Sequence, residues 1–214
     1  MIKIQSFTNA GFGENTYILS DDSKKCIIID PGCYQPEEEI RLSDYINEHK
    51  LKVEKVVNTH CHIDHVLGNF YCKKTFDVPV YIPVNEKEVH KAVQVYAPNY
   101  GFPKYQHQEP DFFLKNEGKL LFGNSELDIL YVPGHSPGHL VFYSASQHFC
   151  INGDVLFRES IGRTDLPGGN HEQLIESIHE VMFALPEETI VYCGHGPETS
   201  IGHEKRYNPW CKVM

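Results

Sequence analysis

The chain has 214 residues, 41% hydrophobic and 12% aromatic, with a formal net charge of −10. That composition excludes a disordered or low-complexity protein, and the acidic balance argues against nucleic acid and anionic membrane surfaces as partners. One domain over residues 1–214 is expected, large enough to bury roughly 70% of its unfolded surface. The opening MIKIQSFTNAGF lacks a basic segment followed by a long apolar run, and no apolar stretch approaches a membrane span, so a cytoplasmic protein is expected. The seven cysteines form no CxxC pair and read as reduced, mostly buried thiols.

In chain order, MIKIQSF, NTYILS and KKCIIID read as strands separated by turn residues. PEEEIRLSDYINEHK opens with Pro36 and acidic residues, as a helix N-terminus prefers. KVEKVVNTH reads as a strand ending at Thr59, HVLGNFYCKKTF as a short helix and DVPVYIP as a strand. NEKEVHKAVQVYA reads as a helix capped by Asn85, with Glu88 three residues on and Val89, Ala92, Val93 and Tyr96 on one face. Residues 98–119 show no clean period and read as a long loop. Its Tyr100, Phe102 and Tyr105 either pack against a sheet or line a mouth, packing being the commoner use. Strand patterns return at GKLLFG, ELDILYVPG, HLVFYSA and HFCINGD; NHEQLIESIHEVMFAL is an amphipathic helix with Leu174, Ile178, Val181 and Met182 inward; ETIVYCGHG is a last strand. This alternation implies an α/β or α+β layered domain and leaves the topology open.

Four short apolar runs end in a residue that ligates metals: VEKVVNTH at His60, LDILYVPGH at His135, HFCINGD at Asp154 and ETIVYCGH at His195. Loops at one edge of a rigid sheet are where chemistry usually sits. In an extended segment residues i and i+2 point the same way, so His60 and His62 can grip one ion, while Asp64 and His65 can point elsewhere. His60, His62, Asp64, His65, His135, Asp154 and His195 are too many for one tetrahedral site. They would fill two sites that share a carboxylate and a water. Buried without a metal, such a set would leave costly unpaired polar atoms. His49, His90, His107, His148, His171, His179 and His203 read as surface or core residues, and Cys61 as packing.

THCHIDH at 59–65 resembles the THxHxDH signature of the metallo-β-lactamase superfamily, and GHSPGH at 134–139, NGD at 152–154 and CGHG at 193–196 match its later motifs in order. GDVLFRESIGRTDLPGG at 153–169 resembles the glyoxalase II (hydroxyacylglutathione hydrolase) branch, in its short single-domain form. The resemblance implies a four-layer αββα sandwich, two mixed sheets flanked by helices. It implies that His60, His62 and His135 hold one ion, that Asp64, His65 and His195 hold another, and that Asp154 bridges them. The implied cofactors are two divalent ions, zinc first, with iron or manganese also suited. The implied activity is hydrolysis of a small thioester by a hydroxide shared between the ions, with Asp64 and Asp154 catalytic. Asp30 and Thr59 are expected behind the ligands. Arg158, Arg163, Lys205 and Arg206 are candidate substrate contacts, because the C-terminal helical domain of full-length glyoxalase II has no counterpart here. A true β-lactamase is not expected: the subclasses with a cysteine ligand carry it near the third motif, where Asp154 stands and Cys150 lies four residues too early, and a bridging Asp154 resembles the thioesterase arrangement and not the lactamase one. Two alternatives stand beside the hydrolase: the mononuclear-iron persulfide dioxygenase branch, which shares GRTD at 162–165, and a non-catalytic metal-binding module. Oligomeric state is open.

Overall fold

The computed structural model describes residues 1–212. Two compact units make it up: Met1–Leu114 with Leu121–Ser125, and Lys115–Leu120 with the chain from Glu126 onward.

In the first unit, β1 (Lys3–Asn9), β2 (Glu14–Ser20), β3 (Lys25–Ile29), β4 (Lys52–Val57), β5 (Val80–Pro83) and β6 (Phe112–Leu114) form a six-stranded sheet in that order. β1 to β3 pair antiparallel and β3 to β6 parallel. Ile27, Ile28, Ile29, Val56 and Val57 are fully buried, as parallel strands covered on both faces require, which is why these strands read as unbroken apolar runs. Helices α1 (Pro36–Glu48), α2 (Ile63–Val66), α3 (Asn69–Phe76) and α4 (Lys87–Tyr96) complete the unit. Leu42 and Ile46 of α1, Cys72 of α3 and Val93 of α4 share one core with Ile18, Cys26, Ile28, Val56, Val80 and Ile82 of the sheet. Each such aliphatic side chain contributes about 1.5–3 kcal/mol by leaving water. Pro36 opens α1 as expected, and Glu38 Oε2 accepts from the amides of Tyr34 (2.9 Å) and Gln35 (3.1 Å) at its N-terminus.

Three expectations for this unit are corrected. The single helix over HVLGNFYCKKTF is two, α2 and α3, broken at Leu67–Gly68. There the Gly68 amide donates to Pro31 O at 2.7 Å, and a Cβ on Gly68 would lie 2.9 Å from that oxygen. Asn85 does not stand at the N-cap of α4: Val84–Glu86 form a 3₁₀ turn, and α4 begins at Lys87 with Glu86 at the N-cap position. A tertiary partner for Glu86 overrides the local capping pattern, as described below. The long loop contains β6, whose Phe112 pairs with Tyr81 of β5; a three-residue edge strand carries no period of its own. Phe102 is in the core, stacked on Phe12 (5.4 Å) and edge-on to Tyr34 (4.9 Å), and Tyr105 packs against the same core, whereas Tyr100 is exposed.

In the second unit a sheet runs in the order β14-β13-β10-β9-β8-β7. Its strands are β7 (Gly118–Phe122), β8 (Ser125–Tyr131), β9 (Leu140–Ser144), β10 (Phe149–Gly153), β13 (Ile190–Cys193) and β14 (Thr199–Ser200); β11 (Leu156–Phe157) and β12 (Ser160–Ile161) form a separate small hairpin. β8–β9, β9–β10 and β13–β14 are antiparallel and β10–β13 is parallel, so this sheet too is mixed. Helix α5 (His171–Ser177) runs on as a wider π turn, Ile178–Met182, and α6 (Ile201–Tyr207) follows β14. Leu174, Ile178, Met182 and Ile201 pack with Val141, Cys150, Val191 and Cys193, so the inward face expected of the second helix is found. Among the described residues no helix is long and apolar enough to cross a membrane.

Candidate metal-donor clusters

In the first unit the donors follow the C-terminal ends of the parallel strands β3 and β4, the edge at which ligands bind in open parallel sheets. Asp30 leaves β3 in a left-handed conformation (φ +49°), and Asn58, Thr59 and His60 leave β4 fully buried. The His60 and His62 rings lie 4.8 Å apart, as the i, i+2 spacing predicts, and the His65 ring lies 4.1 Å from His60. Asp30, His60 and His65 offer donor atoms within 4.8 Å of one another, all buried.

Asp30 is the hub of this cluster. Its Oδ2 accepts from Thr59 Oγ1 (2.6 Å) and from His65 Nδ1 (3.1 Å), and its Oδ1 accepts from the Thr59 amide (2.7 Å). A histidine whose Nδ1 hydrogen is held by a carboxylate presents Nε2 as its free donor, the usual state of a ligating imidazole. Asn58 Nδ2 donates to the His65 backbone carbonyl at 2.7 Å, and Asn69 Nδ2 donates to Asn58 Oδ1 at 2.9 Å. Cys61 is buried in the core, as expected, and burial pushes its thiol well up.

Two buried carboxylates here lie in none of the sequence motifs. Glu86 Oε2 accepts the Cys61 amide at 2.9 Å, pinning the segment between His60 and His62 from behind. Glu14 accepts from Asn9 Nδ2 at 2.9 Å, and burial pushes its carboxyl well above the ordinary range against the pull of His65.

In the second unit β8, β10 and β13 run in one direction, so His135, Asp154 and His195 emerge at one edge of the sheet. Asp154 Oδ2 lies 3.6 Å from His135 Nε2 and 3.4 Å from His195 Nε2. His135 Nδ1 donates to the Arg163 carbonyl at 2.7 Å, which again leaves Nε2 toward the carboxylate. A Cβ on Gly162 would overlap the Asp154 carbonyl, and one on Gly194 would overlap Asp154 Oδ1. These two glycines admit the aspartate where any side chain would displace it.

The four candidate substrate cations sit differently. Arg163 pairs through both Nε and Nη2 with Asp165 (2.7 and 2.8 Å), holding that exposed carboxyl at about 2, while its carbonyl accepts from His135 Nδ1. Arg206 Nη2 donates to Glu187, Lys205 Nζ lies 6.0 Å above the Phe183 ring, and Arg158 is exposed. His139, the second histidine of GHSPGH, has no role that its residue type alone announces. It is fully buried and accepts from the Asp154 amide.

The donor chemistry fits divalent transition metals: borderline imidazole nitrogens and carboxylate oxygens, with ring orientations set by hydrogen bonds behind them. Helix-backed mixed sheets that end in such donors define a metal-dependent hydrolase with candidate metal-binding triads. The signature of the Metallo-beta-lactamase superfamily matches residues 10–195, and the chain belongs to that superfamily. It is 36% identical to the hydroxyacylglutathione hydrolase GloC of Haemophilus influenzae over 98% of both chains. Among solved structures it is similar to the BLEG-1 B3 metallo-beta-lactamase (34% identity, TM-score 0.90, 99% of this chain and 100% of that one). It is also similar to TTHA1623 in a di-iron-bound form (34% identity, TM-score 0.84, 96% and 98%). The chain therefore has the expected αββα fold.

Proposed function

We propose that the protein hydrolyses small thioesters with two divalent ions, in the manner of a hydroxyacylglutathione hydrolase. In this reading His60, His62 and His135 hold one ion, Asp64, His65 and His195 hold the other, and Asp154 bridges them; the two triads are candidate donor groups by residue type. The observation that carries it is the single oxygen of Asp154, Oδ2, facing the Nε2 atoms of both His135 and His195. A carboxylate so placed suits sharing between ions better than service to one.

Bound there, the ions would supply a water acidic enough to attack near neutral pH and positive charge for the developing oxyanion. The chain's part is to orient donors. Asp30 holds His65 by Nδ1, the Arg163 carbonyl holds His135 by Nδ1, and Glu86 fixes the main chain between His60 and His62. A thiolate of pKa about 8.5 leaves without help from an acid. No side-chain nucleophile is needed, and Cys61, Cys150 and Cys193 are kept as thiols by burial. All seven cysteines are free and buried, which supports a reducing, cytoplasmic setting. Likeness to the hydrolase GloC supports the thioester as substrate class, and likeness to a di-iron structure supports two ions with iron beside zinc.

A second reading, β-lactam hydrolysis by the same donors, is favoured by the likeness to BLEG-1. One assay separates the possibilities. Zinc-loaded and iron-loaded protein is tested against a thioester panel, a chromogenic cephalosporin and glutathione persulfide, with an oxygen electrode in the cell. Thiol release without oxygen uptake is expected. Faster cephalosporin opening than thioester cleavage, or oxygen uptake without thiol release, would overturn the thioesterase reading.

A further inference from the structure

We propose that His139 is a positioning residue that sets the main chain beneath Asp154 and thereby the direction of its carboxylate; the consequence for metal binding rests on the reading above. The pairing of β10 with β13 slips between Ile151 and Gly153, and Gly153 is left-handed (φ +53°). Asp154 therefore leaves the strand ladder, and its buried amide must find an acceptor elsewhere. His139 Nε2 is that acceptor, at 3.0 Å, so the ring carries its hydrogen on Nδ1. Asp154 is then hemmed on three sides: its amide by His139, its carbonyl by Gly162 and its carboxylate by Gly194.

His139 is itself fixed. Its carbonyl accepts from the Val132 amide at 3.0 Å and closes the loop that also carries His135. One short loop thus supplies a donor and places the carboxylate that faces it. The second histidine of GHSPGH thereby has a use other than metal ligation: its Nε2 accepts from a backbone amide. Leucine at 139 would match the bulk and offer no acceptor. Asparagine is too short to bring an acceptor to the Nε2 position, whereas glutamine reaches it with Oε1.

The test compares wild type with His139→Leu, His139→Asn and His139→Gln. Far-UV circular dichroism checks the fold. Hydrogen exchange at the Asp154 amide is read in metal-free protein, and zinc affinity by competition with a chromophoric chelator. In the Leu and Asn variants Asp154 amide protection is expected to fall at least about tenfold and zinc affinity about 10–100-fold. Glutamine is expected to restore both to within about threefold, a rescue that a merely space-filling residue would not show. Equal protection in all four proteins, or glutamine no better than leucine, overturns the proposal. If leucine prevents folding, glutamine against asparagine decides: equal loss in both overturns it. Wild type that binds no zinc while the amide behaves as expected would sink the metal reading and leave the hydrogen bond standing. Full zinc affinity in variants whose amide has lost protection would sink the link between this hydrogen bond and the metals.

Discussion

The carboxylate of Glu86 accepts the amide hydrogen of Cys61 at 2.9 Å across 25 residues of sequence, and both residues are fully buried. The amide it holds lies between two candidate ligands, His60 and His62. Glu86→Ala leaves the Cys61 N–H without this acceptor, which costs about 1–3 kcal/mol in addition to the cavity. Urea denaturation of the metal-free variant should show at least that loss, and Glu86→Gln, which keeps an acceptor, should lose less. Equal stability of wild type and Glu86→Ala would show that the contact is dispensable.

Asp30 offers a cleaner substitution. Asparagine tolerates its left-handed backbone (φ +49°) but cannot accept at the nitrogen that replaces one oxygen, so it must give up part of the hold on Thr59 and His65. Asp30→Asn should keep its circular dichroism and lose about 10–100-fold in metal affinity. Chelator competition measures this; unchanged affinity would mean that His65 does not depend on Asp30.

Elemental analysis of protein purified without chelator should give close to two metals per chain. Asp154→Asn should lower that ratio and turnover together while the melting temperature of the metal-free form moves little, since a neutral amide cannot offset two cations. Full metal content with full turnover in Asp154→Asn would remove the bridge. A ratio fixed at one despite added metal would favour the mononuclear dioxygenase.

His90 sets a pH dependence away from the metals. It is buried, its ring stands 4.5 Å from that of His107, and desolvation first, then His107, lower its pKa to about 4. Tyr105 Oη lies 3.4 Å from His107 Nδ1, and Glu109 Oε1 lies 3.3 Å from His107 Nε2. The folded chain holds His90 neutral while the unfolded chain takes up a proton below about 6.5. Stability should therefore fall as pH drops from about 6.5 to 4, by up to about 3 kcal/mol, and change no further below that for this group. His90→Phe should flatten this part of the profile. Denaturation of both metal-free proteins at pH 7, 6 and 5 measures the difference, and parallel profiles would refute the assignment.

The sequence by itself determined the alternation of strands and helices, the fully buried strands around Ile28 and Val56, and the clustering of His60, His62, Asp64 and His65 after a strand. These are local facts: apolar period follows from which faces are buried, and metal donors are few in kind and close in sequence. The tertiary structure decided which groups stand behind the donors. By residue type alone Glu86 carries no role, Arg163 reads as a substrate cation and His139 has none beyond its place in GHSPGH. Their partners Cys61, His135 and Asp154 lie 25, 28 and 15 residues away. Such hydrogen bonds exist only after packing has brought the chain ends of different strands together. The same holds for Phe112–Leu114, which becomes a strand because β5 offers it an open edge, and for the break at Gly68, which is demanded by the Pro31 carbonyl packed against it. Residue type reports what chemistry a position can do; burial and a distant partner decide whether it does that chemistry or orients the residue that does.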